Sequence, residues 1–182
     1  MGLPEGSRPL RELPAGRTVF IDANVFIYHF TGLSEECSHF LERCERGELA
    51  GITGVHIVLE VLHRLMMIEA VARGMVSPSN VARKLREKPE VVRELSDYRR
   101  QAETIEEMGV TVRDLSMETV KRSHSYRQRD GLLVNDSLTI ALMASEGVAL
   151  LATADPDFAR VQGLKIFSPS DLPAGKAEGH PG

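Results

Sequence analysis

Five short apolar runs, at residues 19–21, 50–53, 110–112, 148–152 and 165–167, do most to limit what this chain can fold into. Val19 to Ile21 reads as a short buried strand, and the other runs read as short strands that could join it in one sheet. Helical patterns lie between them. Residues 24–31 and 34–46 read as two helices, the second capped by Ser34 and stopped by Gly47. A long amphipathic helix follows over 55–73, then two charged helices over 78–87 and 89–108, and two more over 117–129 and 135–146. Strands alternating with helices predict an α/β fold, a parallel sheet with helices on both faces. Ligands of such sheets bind at the carboxyl ends of the strands, where the strand order reverses.

The 182 residues suit one domain over 18–170, with a charged helical insertion at about 74–108. Residues 1–17 read as a flexible N-terminal segment, and the Pro/Gly-rich tail at 171–182 reads as disordered. Hydrophobic residues make up 42% of the chain, enough for a real core, yet no apolar run reaches the ~18 residues of a membrane span. The N-terminus carries no apolar signal segment, and Gly6 breaks the myristoylation pattern, so the expected location is the cytoplasm. Cys37 and Cys44 fall two turns apart on one predicted helix, about 10 Å at ~1.5 Å per residue, too far for a disulfide. They read as core residues.

Four acids stand out. Asp22 follows the first strand and Asp155 the fourth, each at a carboxyl end, and each could cap the next helix or meet the other in a cleft. Asp136 shares an i, i+4, i+7, i+11 stripe with Ile140, Met143 and Gly147, which turns its carboxylate toward the core edge. Glu60 falls opposite the apolar face of the long helix, together with His56, His63 and Arg64, on a side that is either solvated or the wall of a cleft. Carboxylates gathered in one cleft repel one another, and a divalent cation with oxygen ligands, Mg²⁺ or Mn²⁺, is the economical remedy. Zinc-type His/Cys spacing is absent. The formal charge of −4 comes from 26 acids and 22 bases, so these four acids account for the whole excess.

The segments FIDANVFIY, ITGVHIVLEVL, VNDSLTIALM and LLATADPDF, in that order, resemble the PIN-domain nucleases, especially VapC-type toxins. The likeness spans about residues 18–167. It implies a five-stranded parallel sheet in the order 3-2-1-4-5 and a Mg²⁺- or Mn²⁺-dependent ribonuclease. It implies catalytic and metal-binding roles for Asp22, Glu60, Asp136 and Asp155, with Asp157 as a further, outer metal ligand. Thr153 matches the Ser or Thr that orients the last acid, Asn24 a small polar residue near the site, and Thr53 a Ser or Thr ending the second strand. An RNA substrate, an antitoxin partner and a homodimer come with the resemblance. The 74–108 segment is long for a compact toxin of this type and reads either as a partner surface or as a solvated helical hairpin.

Lys121, Arg122, Arg127 and Arg129, with Tyr126 available for stacking, offer an RNA-binding stretch leading into the Asp136 helix; a solvated surface is its plainer reading. Two other functions fit parts of the pattern. A PIN-like module could bind RNA or protein without cutting. A haloacid-dehalogenase-like phosphatase also begins with an Asp after a strand, but Asn24 occupies the second acid position of its D-x-D motif and no matching Lys motif is evident. Walker and GxGxxG loops are absent, which argues against a nucleotide cofactor.

Overall fold

The computed structural model describes residues 3–173. Its elements run β1 (Arg8–Pro9), β2 (Thr18–Ile21), α1 (Ala23–Phe30), α2 (Glu35–Glu45), β3 (Ala50–Gly54), α3 (Val55–Ala72), α4 (Val81–Glu87), α5 (Pro89–Glu94), α6 (Asp97–Glu103), β4 (Val110–Arg113), α7 (Met117–Asp130), α8 (Val134–Ser145), β5 (Leu150–Ala152) and β6 (Lys165–Ser168), with short 3-10 turns at Leu10–Glu12 and Pro156–Arg160. All strands pair in parallel in the order β1-β6-β5-β2-β3-β4. Without β1 this is the expected order, read from the other edge. The chain leaves β2 toward β3 on one side and returns through β5 on the other, so the crossover crevice opens between the carboxyl ends of β2 and β5.

Burial on both faces accounts for the short apolar strands: Val19, Phe20 and Ile21 of β2 and Leu151 and Ala152 of β5 are inaccessible to solvent. The register pairs Ile21 with Ala152, and the Asp22 amide donates to the Ala152 carbonyl at 3.0 Å. Asp22 and Thr153 are thus set side by side by the sheet itself. Ser34 caps α2, its Oγ accepting from the Cys37 amide at 3.0 Å. Cys37 and Cys44 are buried, as expected, and burial pushes both thiols up to about 12. Gly54 sits between β3 and α3 because nothing larger fits: a Cβ there would lie 2.5 Å from the His56 ring and 2.8 Å from Leu142. Among the described residues no helix is long and apolar enough to cross a membrane.

Three sequence expectations are corrected. The sheet has six strands rather than five, because Arg8 and Pro9 pair with Phe167 and Ser168 at its edge. Residues 8–13 are therefore anchored rather than flexible, with Leu10 inaccessible and Leu13 buried in the main core. The charged segment forms three helices rather than two. The chain breaks at Leu95, whose backbone is extended, and the freed amides of Ser96 and Tyr98 donate to the buried Glu69 carboxylate of α3 at 3.1 and 2.9 Å. This segment is also more than a solvated hairpin, since Val76, Leu85, Val91 and Leu95 close a second small core over Ala70 of α3. Of the expected disordered tail, 174–182 lie outside the described residues, whereas Asp171 accepts from Ser34 Oγ at 2.6 Å and from the Glu36 amide at 3.0 Å.

Candidate active site

The crossover crevice holds a cavity of about 260 Å³ lined by Asp22, Glu60, Asp136, Asp155 and Asp157. These acids come from four segments: the end of β2, the first half of α3, the first turn of α8 and the turn after β5. All four acids singled out from the sequence, and the fifth candidate, therefore face one space.

Asp22 is the most tightly held of them. It caps α1, its Oδ1 accepting from the Ala23 amide at 2.8 Å, while Oδ2 accepts from Asn24 Nδ2 and from Thr153 Oγ1, both at 2.6 Å. Capping and site-building, alternatives in the sequence, are one role here. Burial raises the Asp22 pKa to about 7; the Thr153 hydroxyl and the Ala23 amide pull it down, while repulsion from Glu60 and Asp155 pushes it up. Its neighbours thus already act on Asp22 as one electrostatic cluster.

Thr153 is the hub of the arrangement. Its hydroxyl donates to Asp22 and accepts from Asn24 Nδ2 at 3.1 Å and from the Asp155 amide at 3.0 Å, which uses its one donor and both lone pairs. The Thr153 backbone is fixed in turn, its amide donating to the Phe167 carbonyl at 2.9 Å and its carbonyl accepting from Ser168 Oγ at 2.6 Å. Asn24 closes the loop by accepting from the Ala154 amide at 2.9 Å. On the other side of β2, the buried Thr53 hydroxyl donates to the Ile21 carbonyl at 2.8 Å, fixing the residue just before Asp22.

The remaining acids are held differently. Asp155 caps the following 3-10 turn, accepting from the Asp157 amide at 2.9 Å. Asp157 itself is tied to Arg160 at 2.6 Å. Asp136 is buried on α8 above Ile140 and Met143, as its spacing predicted. Glu60 borders the cleft, and Arg64, one turn further along α3, lies 3.9 Å from its carboxylate.

His56 does not share the open side with Glu60. It is buried, with Nε2 3.0 Å from Oγ1 of Thr139 on α8. Burial lowers its pKa to about 4.

None of the five residues proposed for RNA contact lines the cavity. Arg127 is half-buried and donates to Ser123 and Ser137 Oγ at 2.8 and 2.9 Å, joining α7 to α8. Arg129 pairs with Asp130 at 2.7 Å and lies 5.0 Å over the Tyr126 ring. Lys121 and Arg122 are exposed, Arg122 pairing with Glu118 at 3.1 Å. The cavity wall also includes Arg64, which the sequence placed on Glu60's side of the helix without a role, and Tyr28, Leu133 and Asn135, which sequence reasoning did not assign to the site. Arg64 had a readable signal in its i, i+4 spacing from Glu60; Tyr28 and Leu133 had none.

The lining donors are hard carboxylate oxygens, with no Cys or His among them, as suits Mg²⁺ or Mn²⁺. Burial and the other acids push Asp22 up to about 7, so its ionised form is disfavoured until a counter-charge is supplied. Among the described residues no three His, Cys, Asp or Glu side chains form a closed ligand group. Such a loose set fits an ion that keeps several of its own waters.

The family model described as PIN domain matches residues 19–164. Ribonuclease VapC2 of Methanocaldococcus jannaschii is 26% identical over 151 residues, covering 82% of this chain and 92% of that protein. Among solved structures, VapBC2 from Rickettsia felis bound to a promoter DNA fragment aligns with a TM-score of 0.51 at 13% identity, covering 84% of this chain and 98% of that one. A toxin–antitoxin complex from Klebsiella pneumoniae aligns with a TM-score of 0.53 at 19% identity, covering 85% and 99%. At these identities the two structures speak for the shared fold.

Proposed function

Since this chain belongs to the PIN-domain family, we propose that it is a VapC-type endoribonuclease that hydrolyses RNA phosphodiester bonds with Mg²⁺ or Mn²⁺. One observation carries the reading: five carboxylates from four separate segments line a single cavity at the sheet crossover. The likeness to a protein named Ribonuclease VapC2 supports RNA as the substrate.

In this reading Asp22, Glu60, Asp136 and Asp155 hold the ion. Asp157, already tied to Arg160, acts from further out. An ion held there would supply Lewis-acid polarisation of the phosphoryl oxygens and would lower the pKa of a water bound to it. The chain's own part is positioning. Thr153 and Asn24 fix the Asp22 carboxylate, and Thr153 also fixes the backbone entering Asp155, so two acids keep their relative geometry before substrate arrives. In this reading a carboxylate of the cluster accepts the proton of the attacking water as its oxygen bonds to phosphorus, the P–O3′ bond breaks, and the departing 3′ oxygen takes up a proton. No group in this scheme requires the 2′-hydroxyl, so groove shape must distinguish RNA from DNA. A toxin role, with an antitoxin partner and a homodimeric assembly, belongs to the same proposal and rests on family membership and the VapC2 relative.

Lys121, Arg122 and Arg129 are exposed and supply phosphate contacts outside the cavity. Arg127 and Tyr126 serve α7 instead, the one by joining it to α8 and the other by stacking under Arg129.

The direct test is incubation of the purified protein with total RNA, with and without Mn²⁺, followed by mapping of new ends. Discrete cuts that need the ion and vanish in Asp22→Asn are expected. RNA left intact by wild type at saturating Mn²⁺, or cut equally fast by Asp22→Asn, would overturn the assignment.

A further inference from the structure

A cavity walled by carboxylates repels the polyanion it is meant to cut. Metal offsets part of that field. Among the residues that line the cavity the other positive charge is Arg64, set against Asp22, Glu60, Asp136, Asp155 and Asp157. We propose that Arg64 is the residue that binds the phosphate of the RNA strand beside the metal position, acting directly on substrate rather than serving as a counter-ion for Glu60. The proposal rests on the nuclease reading above and names the group that draws substrate into that site.

Geometry favours substrate over Glu60 as the main partner. The Arg64–Glu60 separation of 3.9 Å is a charge contact without a hydrogen bond. Arg160–Asp157 at 2.6 Å and Arg113–Glu146 at 3.0 Å are hydrogen-bonded pairs, whereas Arg64–Glu60 is as loose as the exposed pairs Arg83–Glu87 and Arg99–Glu103, both at 3.7 Å; what sets Arg64 apart is its place on the cavity wall. A contact at 3.9 Å consumes none of the five N–H donors of a guanidinium. The Arg64 side chain is 24% exposed, so it is partly enclosed by the cavity wall and still open to a ligand. It stands beside Tyr28 on the cavity wall, and its charge acts on that phenol. A planar fork there matches two oxygens of one phosphate, the geometry for which arginine is suited and lysine is not.

Glu60 and Arg64 are adjacent on one face of α3, so one helix carries both a metal ligand and a phosphate donor. Were Glu60 to ligate an ion, its pull on Arg64 would weaken and leave the guanidinium to the anionic strand, so metal and phosphate binding would reinforce each other through adjacent turns. The cavity, at about 260 Å³, is below the ~300–1,000 Å³ of sites that enclose a drug-sized ligand.

The test separates binding from cleavage. Asp22→Asn protein and its Arg64→Gln derivative are titrated with a labelled single-stranded RNA oligomer in Mg²⁺ over a range of salt. Loss of one phosphate contact should weaken binding ~10-fold and reduce the salt slope by ~0.7. In the otherwise wild-type protein, Arg64→Gln should raise KM more than it lowers kcat. Arg64→Lys should restore the slope but only part of the affinity, since the charge returns without the fork; it also carries the test should the Gln variant fail to fold. A counter-ion role predicts lower thermal stability with affinity and slope unchanged, and that result overturns the proposal. Failure of wild type to cut RNA would sink the nuclease reading while leaving the binding measurement valid, so each can fall without the other.

Discussion

Thr153 Oγ1 lies 2.6 Å from Asp22 Oδ2 although 131 residues separate them in the chain, and the same oxygen accepts the Asp155 amide. Thr153→Ser keeps the hydroxyl and should leave metal affinity within a few-fold of wild type. Thr153→Val keeps the shape, removes a donor to a buried carboxylate and leaves the Asp155 amide without its acceptor. We expect a loss of roughly 1–3 kcal/mol in stability and a 10- to 100-fold weaker Mn²⁺ affinity. Titration of Mn²⁺ followed by calorimetry, with a thermal melt of each variant, checks both. Equal metal affinity in the Val variant would show that the hydroxyl does not set the site.

Asp22 makes the metal-free protein sensitive to pH in a definite direction. Its folded pKa of about 7 stands above the ordinary 3.8, so between those values the folded state holds a proton that the unfolded state has lost. Stability therefore falls as pH rises through this window and levels off above it. At ~1.4 kcal/mol per pKa unit the contribution is about 4 kcal/mol. Asp22→Asn should remove that slope and melt higher than wild type at pH 8 in EDTA. Saturating Mg²⁺ should reverse the order, since it stabilises only the protein with an intact ligand set. Melts at pH 5 and pH 8, with and without Mg²⁺, decide the matter; identical pH profiles for the two proteins in EDTA would refute it.

His56 works in the opposite sense. Its folded pKa of about 4 lies below the ordinary 6.5, because the enclosed ring resists charging. Between these values the unfolded state binds the extra proton, so stability rises with pH from about 4 to 6.5, by about 3 kcal/mol. Nδ1 has no hydrogen-bond partner, whereas Nε2 faces Thr139. Protonation would add a second donor with nothing to receive it. Over pH 4–6.5 the two residues largely cancel in the wild type, so each is seen only against its own variant. His56→Gln should flatten the acid limb of the stability curve relative to wild type, and unfolding at pH 4.5 and 7 would measure it. A limb as steep in the variant as in the wild type would assign it elsewhere.

What could be read from the sequence follows from how local the signal was. Short apolar runs ending in Asp placed β2, β5, Asp22 and Asp155, because a parallel strand buried on both faces has few other ways to be written. The stripe from Asp136 through Ile140 to Met143 correctly turned that carboxylate inward. Helical angle alone put His56 beside Glu60; it could not know that Thr139 of α8 would meet the ring. The pairing of Arg8 and Pro9 with β6 has no periodicity to detect in two residues. Arg127 looked like an RNA contact until Ser123 and Ser137 received its donors. The shared hydroxyl of Thr153 was available only through the family resemblance, since no local pattern ties residue 153 to residue 22.

The last case is Glu69, which the sequence presents as one more charge on a long helix. It is 8% exposed and accepts from the amides of Ser96 and Tyr98, while Arg73, 3.2 Å away, reaches on to the Glu94 carbonyl at 2.8 Å. The carboxylate takes the place of a cap for α6, whose own N-cap residue Ser96 makes no side-chain cap. Glu69→Ala leaves two amides at the start of that helix without acceptors and should cost roughly 1–3 kcal/mol. The damage should stay local, because Ala70, Val76, Leu85, Val91 and Leu95 form a core of their own, apart from the one beneath the acidic cavity. Hydrogen exchange should therefore quicken over 76–103 with little change in β2 and β5, and Mn²⁺ affinity should hold. If exchange quickens equally in β2, the two cores unfold as one unit and the insertion supports the site directly.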